Sequence, residues 1–255
     1  MKIRTLLVAA CAAASLGASR AQAQVSTGEQ GITVAIGGGP VPHIMERLVS
    51  MFERETGHQV NLVRPRGDAL ATDVRQGNVD MIVTGAAAVD EFVASGDISA
   101  MSRTPVMTSK IGVAVKAGAP KPDISTPEKL KAVLLGASSV GYSRFTSGRI
   151  FLGAVERLGI TDEVTAKGVN PQSGPVGALL VSGEVEIGVQ QVAELVVVPG
   201  VDLVGGLPGD LQTYLPISAG IPTNARDAET ARALIMFLRS APAMAVLEEM
   251  GMDVP

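Results

Sequence analysis

Few side chains in this sequence suit chemistry near neutral pH, and their spacing narrows what that chemistry is. His43 and His58 are the two histidines, and Cys11 is the single cysteine. His43 lies in ITVAIGGGPVPHIME, Ile32 to Glu46, where an apolar run meets three glycines and then a helical pattern. Gly37, Gly38 and Gly39 leave backbone N–H groups uncovered at a helix start, where the dipole favours negative charge. The stretch reads as an anion seat or as a plain strand-to-helix turn of an α/β protein. Arg66 precedes Gly67 at the start of a second helical segment, and Arg144 precedes Thr146-Ser147-Gly148. Each guanidinium is a planar fork that can hold a carboxylate through two parallel hydrogen bonds. Arg64 occupies a strand position that can point it outward, and Arg149 falls on a helix.

Ser147 offers a hydroxyl at a helix start, either to a ligand or as a simple cap, and Tyr142 and Ser143 close the strand before it. Gln190 and Gln191 lie on a strand, so one of the two is expected to face a cleft. An amide there can hydrogen-bond a carboxylate without adding charge. Histidine has a pKa suited to proton transfer, but His43, one turn inside its helix, can equally face solvent. Glu194, Lys110 and Tyr142 are further proton carriers, none distinguished by spacing. No His/Cys/Asp/Glu cluster has metal-ligand spacing, and neither a nucleophile elbow nor a phosphate loop is present. No cofactor and no metal are expected.

These residues must be positioned by alternating strands and helices. Ile32 onward, Val60 to Val63, Val79 to Thr84, Lys110 to Lys116, Ser139 to Ser143, Val185 to Gln190 and Thr213 to Pro222 read as strands. Helical periodicity separates most of them, as in Val41 to Glu55, where Ile44, Leu48, Met51 and Phe52 share a face and Gly57 stops the helix. That order is the signature of βαβ units. Two such sets joined by more than one crossing predict two lobes around a cleft, with ligands beyond the carboxyl ends of the strands.

The first residues read as a secretory signal over 1–23, with Lys2 and Arg4, an apolar stretch and Ala21-Gln22-Ala23 before the cut. Cys11 also loosely resembles a lipoprotein attachment site. Cleavage leaves 18 basic and 25 acidic side chains, about −7 net, with no basic stripe for nucleic acid. It also removes the only thiol. A binding protein or enzyme exported to the periplasm is expected.

The ordered motifs resemble the exported solute-binding proteins of ABC uptake systems, in the branch that includes the molybdate-binding proteins. They are FERETG at Phe52 to Gly57, ALATDVRQGNVDMIVTG at Ala69 to Gly85, STPEKL at Ser125 to Leu130 and SGRIFLGAVERLGI at Ser147 to Ile160. SGEVEIGVQQVAEL at Ser182 to Leu195 and the segment Ala231 to Met252 extend the likeness over nearly the whole chain after the signal. The resemblance implies a two-lobed periplasmic-binding-protein fold of type II, each lobe a mixed, mostly parallel sheet flanked by helices. The expected lobes are 24–107 with 208–255, and 108–207. It further implies hinge closure on a small anionic ligand, an ABC permease as partner, and a monomer. The branch's molybdate binders use a serine after the first strand, another at the second helix and a tyrosine near 190. Here those places hold Gly37-Gly38-Gly39, Arg66-Gly67-Asp68 and Gln190-Gln191, which turns the expectation to a di- or tricarboxylate and leaves molybdate or another oxyanion as the minor alternative. The segment Gly188 to Gln212 looks like a subgroup that includes periplasmic aconitate isomerase. That likeness implies an allylic proton shift between trans- and cis-aconitate, for which His43 is the candidate base.

Overall fold

The computed structural model describes residues 31–172 and 174–255, so the signal reading over 1–23 and Cys11 lie outside the described residues. The chain opens with β1 (Ile32–Ile36), α1 (Val41–Thr56), β2 (Val60–Val63), α2 (Ala69–Gln76), β3 (Met81–Gly85) and α3 (Ala86–Ala94). β1 lies between β2 and β3, parallel to both. Its Ile32, Val34, Ala35 and Ile36 are all buried, which is the pattern of a strand covered on both faces by helices. α1 buries Ile44, Met45, Leu48 and Phe52, with Met51 packed at the edge. Gly57 ends it at φ 76°, in the left-handed conformation that glycine adopts without strain.

β4 (Thr104–Lys116) then runs through two sheets. From Thr104 to Lys110 it pairs antiparallel with β9 (Tyr214–Gly220), which itself borders β3. From Ile111 onward its neighbours are β7 (Ile187–Gln191) and β8 (Val201–Gly206). The sequence predicts only its second half, from Lys110. Pro105, a register irregularity between Pro105 and Met107, and the polar Thr108 and Ser109 dilute the apolar signal of the first half.

The second sheet is completed by α4 (Pro127–Gly136), β5 (Val140–Tyr142), α5 (Thr146–Arg157), α6 (Thr161–Ala166), β6 (Gly168–Val169), α7 (Val176–Ser182) and the single turn α8 (Val192–Leu195). β5 is parallel to β6 and β7. β8 is not visible in the sequence because Pro199, Gly200, Gly205 and Gly206 read as loop. α9 (Ala228–Leu238) and α10 (Ala241–Glu249) return to pack on α1 in the first lobe's core. Each sheet has apolar clusters on two faces: Phe52 and Leu234 against Val89 and Ile98 in one lobe, Phe151 and Leu130 against Leu180 and Leu195 in the other. The result is the type II two-lobed α/β architecture that the sequence predicts.

Candidate functional site

A cavity of about 1100 Å³ opens between the two sheets, slightly above the roughly 300–1,000 Å³ of ordinary small-molecule sites. Gly37, Gly38 and Gly39 form part of one wall. Gly37 donates its N–H to the Val83 carbonyl at 2.8 Å, so that donor is already used. Pro40 and Pro42 carry no N–H, which leaves Gly38, Gly39, Val41 and His43 as the backbone donors of this turn. The glycine identity matters at two of the three positions. A Cβ on Gly37 would lie 2.8 Å from Thr84 Oγ1, and one on Gly39, at φ 63°, would lie 2.7 Å from Gln191 Nε2.

Across the cavity, the end of β5 meets the start of α5. The Phe145 N–H donates to Ser143 Oγ at 2.9 Å, and Ser147 Oγ donates to the same oxygen at 3.2 Å. Ser147 is only 3 % exposed, so it lines the floor of the cavity. Arg144 is exposed at the wall and has no carboxylate partner among the described residues. Phe145, 79 % exposed, stands beside it. The N-terminal ends of α1, α3 and α5 all contribute lining residues: Val41, Ala86 and Thr146. Three helix dipoles with their positive ends on one cavity favour an anion.

Gln190 and Gln191 both line the cavity, where strand alternation predicts one of the two. Gln191 is the last residue of β7 and caps α8, so the chain turns there and alternation stops applying. Gln190 Oε1 accepts from the Val176 N–H at 2.9 Å and fixes the start of α7. Gln191 Nε2 donates to Glu194 Oε2 at 3.2 Å. Burial pushes the Glu194 carboxyl above the usual carboxylate range, against the opposing hydrogen bonds of Gln191 and Gln190.

The remaining sequence candidates lie elsewhere. Arg66 and Gly67 are exposed in the turn before α2 and are not among the residues lining the cavity. Arg64 lines it instead, while also reaching Glu46 at 2.6 Å. The strand that would have turned Arg64 outward already ends at Val63. Tyr142 is buried in the second lobe's core, its ring tilted against Phe151 at 5.5 Å between centroids, so it supports the wall from behind. Lys110 pairs with Asp253 at 2.6 Å, away from the lining. His43 is exposed and borders both the cavity and a shallow depression beside Val196 and Met250. The sequence names Glu194 without singling it out, because its partial burial comes from the lobe contact and not from any local pattern. No group of three or more His, Cys, Asp and Glu side chains able to hold a metal occurs among the described residues.

The fold is shared with known proteins. Residues 32–253 match the family described as bacterial extracellular solute-binding protein. An aconitate isomerase from a Pseudomonas species is 34% identical over 229 residues, 87% of each chain. Among solved structures, the substrate-binding domain assigned to a molybdenum ABC transporter of Clostridium difficile gives a TM-score of 0.72 at 13% identity, covering 88% of this chain and 98% of that one. The periplasmic molybdate-binding protein of Azotobacter vinelandii gives 0.66 at 18% identity, covering 88% and 99%.

Proposed function

The chain belongs to the bacterial extracellular solute-binding proteins, and from that premise we propose that it captures a small organic acid with two or three carboxylates in the cleft between its lobes. The observation that carries this reading is the pair Arg64 and Arg144 on the lining of a cavity onto which α1, α3 and α5 also open their N-terminal ends. Guanidinium forks suit planar carboxylates, and two of them on one cavity suit a ligand with several. Hydroxyls of Thr84, Ser143, Thr146 and Ser147 lie on the lining, but Ser147 is turned toward Ser143 and the glycine turn carries none, so molybdate is the competing ligand in the test below. In this reading the lobes close on the acid, the protein works in the periplasm after removal of its signal, and an ABC permease in the inner membrane receives the ligand.

A second reading, aconitate isomerase, is supported by the 34% identical relative of that name. It uses the same clamp and adds a proton carrier. The experiment for the binding reading is calorimetric titration of the purified protein with citrate, cis-aconitate, trans-aconitate and molybdate. Saturable binding of at least one tricarboxylate in preference to molybdate is the expected result. Tight binding of molybdate with no heat from any carboxylate would overturn it.

A further inference from the structure

Glu194 is a carboxylate in a cavity otherwise equipped for anions. Among the described residues its only hydrogen-bonding neighbours are the amides of Gln191 and Gln190, and it makes no ion pair. The other charged or titratable side chains on the cavity are His43, Arg64 and Arg144. A protein that only captured anions would gain from glutamine at this position, since a half-buried carboxylate with no cation beside it is costly and repels the ligand. Such a group in a cleft is a candidate functional position. Arginine stays charged at all relevant pH values, so His43 and Glu194 are the two lining side chains able to give and take a proton. His43 stands at the exposed rim. Glu194 sits on α8, whose Ala193 is packed into the first lobe's core and whose neighbour Gln191 meets the glycine turn. That contact between lobes holds the carboxylate in place.

We infer that Glu194 carries the proton in an allylic isomerisation of the bound tricarboxylate, a step that rests on the organic-acid reading of the cleft. Its carboxylate takes a proton from the methylene carbon beside one carboxylate of trans-aconitate. The C–H electron pair forms a new double bond to the central carbon as the original π pair moves to the far carbon, and in the intermediate the negative charge spreads over the three-carbon unit and its carboxylates, where Arg64 and Arg144 offset it. The carboxyl returns the proton to the carbon at the far end of the former double bond, which leaves the double bond shifted by one position. The atoms balance with no oxidant, reductant or co-reactant. A carboxyl held above its usual range by burial is a stronger base for this step.

The test compares wild type, Glu194→Gln, Glu194→Asp and His43→Gln, with trans-aconitate binding followed by calorimetry and cis-aconitate formation by chromatography. The expected result is turnover by the wild type, a loss of about 10²-fold or more in kcat for Glu194→Gln with affinity held within about threefold, and partial recovery of kcat in Glu194→Asp. Wild type that binds but does not turn over would overturn the proton role and leave the organic-acid reading standing. Wild type that binds no carboxylate would sink both. Turnover undiminished in Glu194→Gln, turnover and binding lost together there, or turnover abolished in His43→Gln alone would each assign the role elsewhere. Should Glu194→Gln fail to fold, Glu194→Asp decides: unchanged kcat overturns the inference, and a tenfold or greater fall at unchanged affinity supports it.

Discussion

Arg144 is the cavity's least compromised cation, because Arg64 shares its guanidinium with Glu46 whereas Arg144 has no carboxylate partner among the described residues. Removing a hydrogen bond to a charged group costs about 1.5–3 kcal/mol, which converts to roughly a 10- to 150-fold loss of affinity. Arg144→Ala is therefore expected to weaken tricarboxylate binding by that factor in calorimetric titration, with thermal stability almost unchanged since the side chain is exposed. A loss below twofold would remove Arg144 from the clamp. Residue chemistry was legible in the sequence only as a set of candidates. Arg64, Arg66 and Arg144 look alike as loop or strand-end arginines, and what separates them is where the chain goes after Val63. Gly39 is similar. Its positive φ follows from the local turn, but its contact with Gln191, 152 positions later, does not.

At the scale of the element, the start of α5 is fixed by a close approach that only glycine permits. A Cβ on Gly148 would fall 1.6 Å from the Ser143 carbonyl oxygen, a backbone atom that cannot swing aside. Gly148→Ala must therefore displace the helix from the end of β5, carrying Phe145, Thr146 and Ser147 with it. The expected cost is about 1–3 kcal/mol of stability, read as a lower urea midpoint, together with weaker ligand binding. Gly153, on the same helix, has nothing within 4 Å of its Cβ position. Gly153→Ala should stabilise the protein by roughly 0.5–1 kcal/mol through helix propensity alone. Equal effects from the two substitutions would show that the contact with Ser143 has no particular weight. The existence of α5 was plain from its periodicity, and so was its start at Thr146. The tight seat against Ser143 was not, because Gly148 reads in the sequence as one more residue of a cap.

At the scale of the molecule, Asp80 ties distant parts of the first lobe together. It is 1 % exposed, accepts the Thr33 N–H at 2.8 Å, and takes Arg226 through both backbone N–H at 2.9 Å and guanidinium at 2.6 Å. Burial by itself would raise its pKa, but the Arg226 guanidinium and the two backbone donors together hold it below the usual value. A carboxyl with a depressed folded-state pKa contributes stability above its unfolded value of about 3.9, and that contribution is lost as pH falls through the folded value. Asp80→Asn should thus cost about 1.5–3 kcal/mol at neutral pH, with the gap to wild type narrowing below about pH 4. Urea unfolding at pH 7 and near pH 3.5 checks both, and a gap that does not change with pH would refute the account. The sequence by itself determined the alternation of strands and helices, their glycine stops and the two-lobed class, because these are encoded in the spacing of apolar residues over a few turns. The tertiary structure alone decided that Arg64, Arg144, Gln190, Gln191 and Glu194 share one cavity while Arg66 and Tyr142 do not. That outcome depends on β4 changing partners between Lys110 and Ile111 and on α8 reaching across to the first lobe. A cavity is a relation among segments far apart in the chain, and local periodicity does not carry it.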